Sequence, residues 1–250
     1  MQESINISTR KNKINQFIWQ HLWLLISLFI MTLGVALSVR SNVGSSVISS
    51  LPMSFSLAGA DGKFPAWTIG EYTNLMNAIF VALQLVILRR DFEWVQLFQL
   101  VIGFLFGAMI DFNMWLTSGL DCSSIPMQAI AALTGCTVMG VGISMEIRCG
   151  SVTMPGEGIQ VAICRKTGAA FPKVKIIIDT TLVVLAVISC YMFWGKWRWN
   201  VIGPGTLFAM VYVGWMVKIV NNHSRWFDRV LSYPFGFKKI AYGLARYLKG

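Results

Sequence analysis

The stretch GVGISMEIRCGSVTMPGEG, Gly140 to Gly158, decides how the fold is read. An apolar run meets Glu146, Arg148, Gly150 and Pro155 within a few residues, and a second apolar run starts beyond them. The pattern has occurred before. GVALSVRSNVGS, Gly34 to Ser45, matches GVGISMEIRCGS, Gly140 to Ser151, at five of twelve positions. Gly34, Val35, Ser38, Gly44 and Ser45 recur as Gly140, Val141, Ser144, Gly150 and Ser151, a shift of 106 residues. With one inserted residue, Phe64-Pro65 recurs as Phe171-Pro172 and Gly107 as Gly214.

Composition supplies the solvent. Of 250 residues 55% are hydrophobic and only 13% charged, and the mean hydropathy is +0.61. That is too little charge to coat a water-soluble globule and too much apolar surface for one core. A hydrocarbon layer of about 30 Å needs about 20 apolar residues in helical form. Six stretches qualify: 20–39, 67–88, 97–117, 127–147, 174–194 and 202–220. Residues 1–16 are polar and no small-residue cleavage pattern follows the first apolar run, so that span is expected to stay in the protein.

The formal charge of +10 reports topology rather than nucleic-acid binding, because the basic residues sit between apolar spans and not on a soluble face. With six spans and a cytoplasmic amino terminus, 17 of the 21 Lys and Arg fall on the cytoplasmic side, leaving Arg40, Lys63, Lys196 and Arg198 outside. This is the asymmetry the positive-inside rule expects. Two shorter apolar stretches, 45–57 and 152–164, would reach about 20 Å as helices. Counting them as spans worsens the asymmetry to 15 against 6. They are therefore expected to be half-helices, re-entrant or interfacial, each introduced by Gly-Ser, with the glycine turning the backbone and the serine capping the helix.

Each half then reads as span, break, short helix, Phe-Pro, span, span. Three spans is an odd number, so the second half enters the membrane in the opposite sense. The fold class is an all-α polytopic membrane protein of six transmembrane helices plus two half-helices, arranged as two inverted three-span repeats. Such repeats with interrupted helices build many secondary transporters, whose solute sites lie between the halves. The expected organisation is a cytoplasmic segment 1–16, membrane repeats 17–118 and 125–222, and a basic amphipathic tail 223–250.

The half-repeat, with GVGISMEIRCGSVTMPGEGIQVAICRKTG, FPKVKIIIDTTLVVLAV and IGPGTLFAMVYVG, resembles the YczE/YyaS/YitT group of bacterial integral membrane proteins over about residues 34–220. In that group the break is followed by Pro and an acidic residue, the next span carries a basic residue and Asp, and the last span opens G-x-G-T. The resemblance places these features at Pro155 with Glu157, Lys175 with Asp179, and Gly203, Gly205 with Thr206. It implies a fold and a bacterial cytoplasmic membrane location with cytoplasmic termini, and it names no substrate.

Ionised groups in hydrocarbon cost several kcal/mol unless they face protein or water, so acidic residues in spans mark candidate sites. Asp179 follows Lys175 by one turn and either pairs with it or serves a solute. Asp111, in GFLFGAMIDFNMWL, has no local basic neighbour and needs a partner from another segment or a proton. Glu146 and Arg148 stand opposite Arg40 and Asn42 in the repeat, and charges at related positions could meet between the halves. The restarted helices offer amino ends to an anion, with Glu157, a solute carboxylate and simple capping as competing occupants. The candidate substrate-binding residues are thus Ser45, Ser151, Glu157, Asp111, Asp179, Glu146 and Arg40.

Catalytic, cofactor and metal signatures are not found. The histidines are only His21 and His223, no HExxH, GxSxG or P-loop pattern occurs, and Cys122, Cys136, Cys149, Cys164 and Cys190 show no CxxC spacing. A carboxylate-based membrane enzyme stays open, as does an accessory protein that supports a partner without moving solute. The expected partners are the bilayer and a small solute, an anion being one candidate, with no nucleic acid and a homodimer left open. The tail from residue 224 interleaves basic and aromatic residues and is expected to lie on an anionic leaflet, an RNA-binding arm being the alternative.

Overall fold

The computed structural model describes residues 2–149 and 154–223, and within them the chain is helical with no strand. Its helices are α1 (Gln2–Arg40), α2 (Val47–Ala60), α3 (Ile69–Leu88), α4 (Phe98–Leu116), α5 (Ile125–Cys149), α6 (Pro155–Thr167), α7 (Phe171–Trp194) and α8 (Pro204–His223). Two 3-10 turns, Arg89–Asp91 and Trp94–Leu97, join α3 to α4. The expected tail helix lies outside the described residues.

Five helices are long and apolar enough to cross a membrane: 18–40 within α1, 69–91, α4, α5 and 173–194 within α7. The expected sixth, α8, has 20 residues and so about 30 Å of length, but it ends in Asn221, Asn222 and His223 and is less apolar than the others. The first helix continues back to Gln2, so the expected boundary at residue 16 is no break in the backbone. Large apolar side chains face outward along the helices, as at Phe104, Val86 and Val211, while Thr32, Ser54, Asn77, Gln84, Gln99 and Asn113 are buried. Polar groups inside and apolar groups outside is the distribution that lipid favours.

The central contact is α1 against α5. Gly34 lies on Met139 and Gly135, Gly135 on Ser38, and Gly142 on Met31, so the two helices run antiparallel with their backbones touching. A Cβ on Gly34 would sit 2.4 Å from the Met139 nitrogen and 2.6 Å from the Gly135 oxygen. Residues 135, 139 and 142 recur at helical spacing and so share one face of α5. Around this pair Leu28, Val35, Phe106, Ile110 and Met139 form one core cluster, which draws α4 in from the side. Asn113 donates to Thr32 at 2.8 Å and fixes that contact.

The remaining packing is reciprocal. Helix α2 lies on α7 and α6 lies on α3, while α4 packs on α1 and α8 on α5. The first turn of α2, with Val47 and Ile48, joins Phe80 and Leu182 from the middles of α3 and α7. Its last turns reach their ends, where Phe55 meets Tyr72 and Phe193. Helix α6 starts against the same middle region, since the Gln84 amide reaches the Pro155 carbonyl. It ends at the opposite extreme, where Arg165 lies 3.8 Å from Glu93. The two short helices therefore begin close together, the Ile48 side chain falling 3.5 Å from the Cβ direction of Gly156, and run apart.

Both short helices start two to three residues later than the sequence suggests, and serine 45 does not cap α2. Its amide and hydroxyl both donate to the Val201 carbonyl, so it ties the break to the loop before α8. The N-cap is Ser46, whose hydroxyl pairs with Ser49 instead of with a backbone N–H. The N-cap of α6 is Met154 with Pro155 following, and Ser151 lies outside the described residues. Gly44 does perform the expected turn, at φ +112.

Replacing Gly34 with Leu forces α1 away from α5 and should lower stability by on the order of 3 kcal/mol. Reversible unfolding in detergent measures this. Gly214→Ala is the control, because a Cβ there meets nothing within 4 Å and the transition should not move.

Candidate functional site

Where α2 and α6 begin, the helices part around a cavity of about 570 Å³. Its walls come from the first turns of both short helices, from α7, and from α5 and α8. The reason for the space is an asymmetry in the packing. Helix α3 lies along α4, but α7 and α8, which hold the corresponding places in the second half, have no comparable interface. The α5 and α8 side is apolar, with Met139, Ile143, Met210, Val213 and Val217. The polar side carries Ser46, Glu157, Gln160, Lys175 and Asp179.

Lys175 and Asp179 pair at 3.1 Å across one turn of α7, as their spacing suggests. Glu157 occupies the first turn of α6, where a carboxylate complements the helix dipole, and it lies within electrostatic reach of Lys175. Gln160 follows one turn later, 4% exposed, and its Oε1 has no hydrogen-bond donor among the described residues. Behind them Glu146 is 5% exposed, and neither of its oxygens has a hydrogen-bond partner among the described residues. Its nearest polar neighbours are the Glu157 carboxyl and the Met154 backbone.

Of the sequence-derived candidates, Glu157 and Asp179 line the cavity and Glu146 backs it. Ser151 lies outside the described residues, and Ser45, Asp111 and Arg40 are elsewhere. Asp111 finds its partner on another segment, accepting from the Thr68 hydroxyl at 2.6 Å and the Gly70 amide at 2.9 Å. It thus occupies the amino end of α3, beside the capping box of Thr68 and Glu71. Arg40 donates to the Met114 carbonyl at 2.7 Å and does not meet Glu146. Arg148 turns to Asn221 of α8. The expected encounter between the Arg40 and Glu146 positions fails because α1 and α5 run antiparallel, which sends equivalent helix ends to opposite extremes.

Sequence reasoning missed Ser46 and Gln160. Gln160 does fall one turn after Glu157, and that spacing was the available signal.

At the far end of α7 a second charged group forms. The Trp194 indole donates to Asp61 at 2.6 Å, and Arg198 lies 3.4 Å from the same carboxylate oxygen. The indole bond, with Arg198 and Lys63 nearby, holds the Asp61 carboxyl below its usual value. This contact therefore persists above the ordinary carboxylate range and is lost only as pH falls through the lowered value. It staples the α2–α3 turn to the α7–α8 loop. Among the described residues no cluster of His, Cys, Asp and Glu is arranged to hold a metal.

A family model matches residues 18–222, from the apolar part of α1 to the end of α8. The chain belongs to the family of unknown function DUF6198. The matched range takes in every wall of the cavity and stops before the basic tail, so the DUF6198 unit is the helical bundle itself. No curated protein and no solved structure matches the chain.

Asp111→Ala should cost about 1.5–3 kcal/mol, the range for a hydrogen bond to a charged acceptor. Asp111→Asn, which keeps an acceptor oxygen, should recover part of that loss in thermal unfolding of this DUF6198 protein.

Proposed function

We propose that the protein is a secondary transporter or permease for a small solute, built of two inverted three-span halves in the bacterial cytoplasmic membrane with both termini cytoplasmic. The observation that carries this reading is the cavity at which both short helices begin. Irregular backbone at membrane depth is tolerated where it lines a cavity or is buried in protein, and solute sites of such carriers lie between the repeats. The antiparallel packing of α1 on α5, helices that correspond in the sequence repeat, supports inversion. So do the reciprocal contacts of α2 with α7 and α6 with α3. Three-span halves make α8 the sixth span.

Charge supports the orientation. Lys63 and Arg198 gather at one end with Asp61. Arg165 meets Glu93 in the α3–α4 connection, close in sequence to Arg89 and Arg90, at the other end. The richer basic end is the cytoplasmic one by the positive-inside rule. A cysteine placed at Lys63 or Lys196 in a Cys-free background should react with an impermeant reagent added to intact cells, and one at Arg90 should not. Reaction at Arg90 with silence at both others would reverse the topology.

Transport itself is tested with the full chain in liposomes loaded with a mixture of small metabolites and amines, following efflux by mass spectrometry. At least one component should leave faster through the native protein than through Gly214→Phe, which projects a ring into the cavity from a position with free space. Equal efflux of every component through both folded proteins would reject transport and favour a non-transporting accessory role.

A further inference from the structure

The cavity divides into two chemistries, and together they specify a ligand. Its apolar wall, α5 and α8, contributes Met139, Ile143, Met210 and Val213 with no charge among them. The opposite wall and its backing hold three carboxyls, Glu146, Glu157 and Asp179, against the single ammonium of Lys175. Lys175 is engaged at 3.1 Å by Asp179, so one ammonium serves more than one carboxyl. Arg148, the other nearby cation, is held by Asn221. The amino ends of α2 and α6 each contribute about half a positive charge, and Glu157 in the first turn of α6 already offsets one of them. On the cavity face two carboxyls, Glu157 and Asp179, stand against the one ammonium of Lys175.

Hydrogen bonding points the same way. Among the described residues Gln160 Oε1 is a buried acceptor at the cavity with no donor, and the Glu146 carboxyl lies behind it near the Met154 backbone. Gln160 is over nine-tenths buried and lines the cavity, so its empty acceptor is presented to the occupant. A buried acceptor left empty costs about 1–3 kcal/mol, and a ligand bearing N–H groups removes that cost.

Access to the apolar wall lies between α7 and α8, which do not close on one another as α3 and α4 do. Ile176, Ile177 and Val211 on the outer faces of these helices are exposed and apolar, so the gap opens towards lipid. A ligand can rest its apolar part there without leaving a hydrophobic surface.

We propose that the cavity binds a primary alkylammonium, with its ammonium group at Glu157 and Gln160 and its alkyl chain along the α5 and α8 wall. This rests on the cavity being the solute site and supplies the ligand class. The ammonium gives charge to the carboxyl excess and N–H donors to the empty acceptor. The chain fills the apolar half, which a bare amine would leave wet.

The test uses the full chain in lipid nanodiscs with radiolabelled octylamine, by equilibrium dialysis against empty nanodiscs, together with thermal unfolding. Octylammonium should bind saturably above the empty-disc background and raise the melting temperature with concentration. Ethylamine, which lacks the chain, octanoate, which reverses the charge, and octyltrimethylammonium, which lacks N–H donors, should each compete at least tenfold more weakly. Glu157→Gln should weaken octylammonium binding at least tenfold, and Gly214→Phe should abolish it. Should Glu157→Gln fail to fold, Gln160→Leu, which removes the empty acceptor, takes its place with the same expected direction. Octanoate competing as well as octylamine, binding indistinguishable from empty discs, or full binding by Gly214→Phe would overturn the proposal. Efflux of an anionic or chainless solute, blocked by Gly214→Phe, with no octylammonium binding would overturn the ligand class and leave transport standing. Octylammonium binding without efflux of any component would leave the ligand class and reject transport.

Discussion

The bundle depends on α1 and α5 touching backbone to backbone. Glycines at 34, 135 and 142 remove the side chains that would hold the axes apart, and the contact extends from Met31 to Ser38 on one helix and from Gly135 to Gly142 on the other. In lipid no hydrophobic gain is available for pressing two apolar helices together, so close van der Waals approach has to supply the attraction. Once this pair is fixed antiparallel, each partner presents the same kind of lateral face at opposite ends. That is why α4 docks on α1 as α8 docks on α5, and why α2 and α6 cross to the third helix of the other half.

At the first break, after α1, the chain leaves through Gly44 at φ +112. Val201 then accepts from both the amide and the hydroxyl of Ser45, so backbone groups freed by the interruption are paired from a distant loop. The short helices begin near one another and run to opposite extremes. Among the described residues, polar side chains, free space and helix ends coincide in their shared starting region. Elsewhere the polar groups are spent on helix contacts, as in Gln84 with Gln99 and Ser54 with Ser189. Asp111 belongs to this second class, since it closes the amino end of α3 and carries no cavity with it.

The departure from reciprocal packing is confined to one pair. Helices α3 and α4 are closed, and α7 and α8 are apart. This unmatched gap is where the cavity opens outward. Glu157 and the Lys175–Asp179 pair stand on the closed side of that gap, so charge lies inward and apolar surface outward.

The apolar runs, the positions of the breaks, the repeat at a shift of 106 and the Lys175–Asp179 pair were all legible in the sequence, because each depends on residues within a few turns of one another. Hydropathy and helical spacing are local quantities, and they report local structure well. The onset of α2 was misplaced by two residues because Val201, 156 positions from Ser45, removed that serine from the capping role. Asp111 could not be told from a solute ligand until α3 was brought beside α4. Glu146 and Arg40 occupy related positions in the sequence repeat yet do not meet, since α1 and α5 run antiparallel and send equivalent helix ends to opposite extremes. The sequence by itself determined a membrane-embedded helical repeat interrupted twice. Only the tertiary structure decided which polar groups share a cavity and which are consumed by packing, because that choice depends on backbone approach between helices a hundred residues apart.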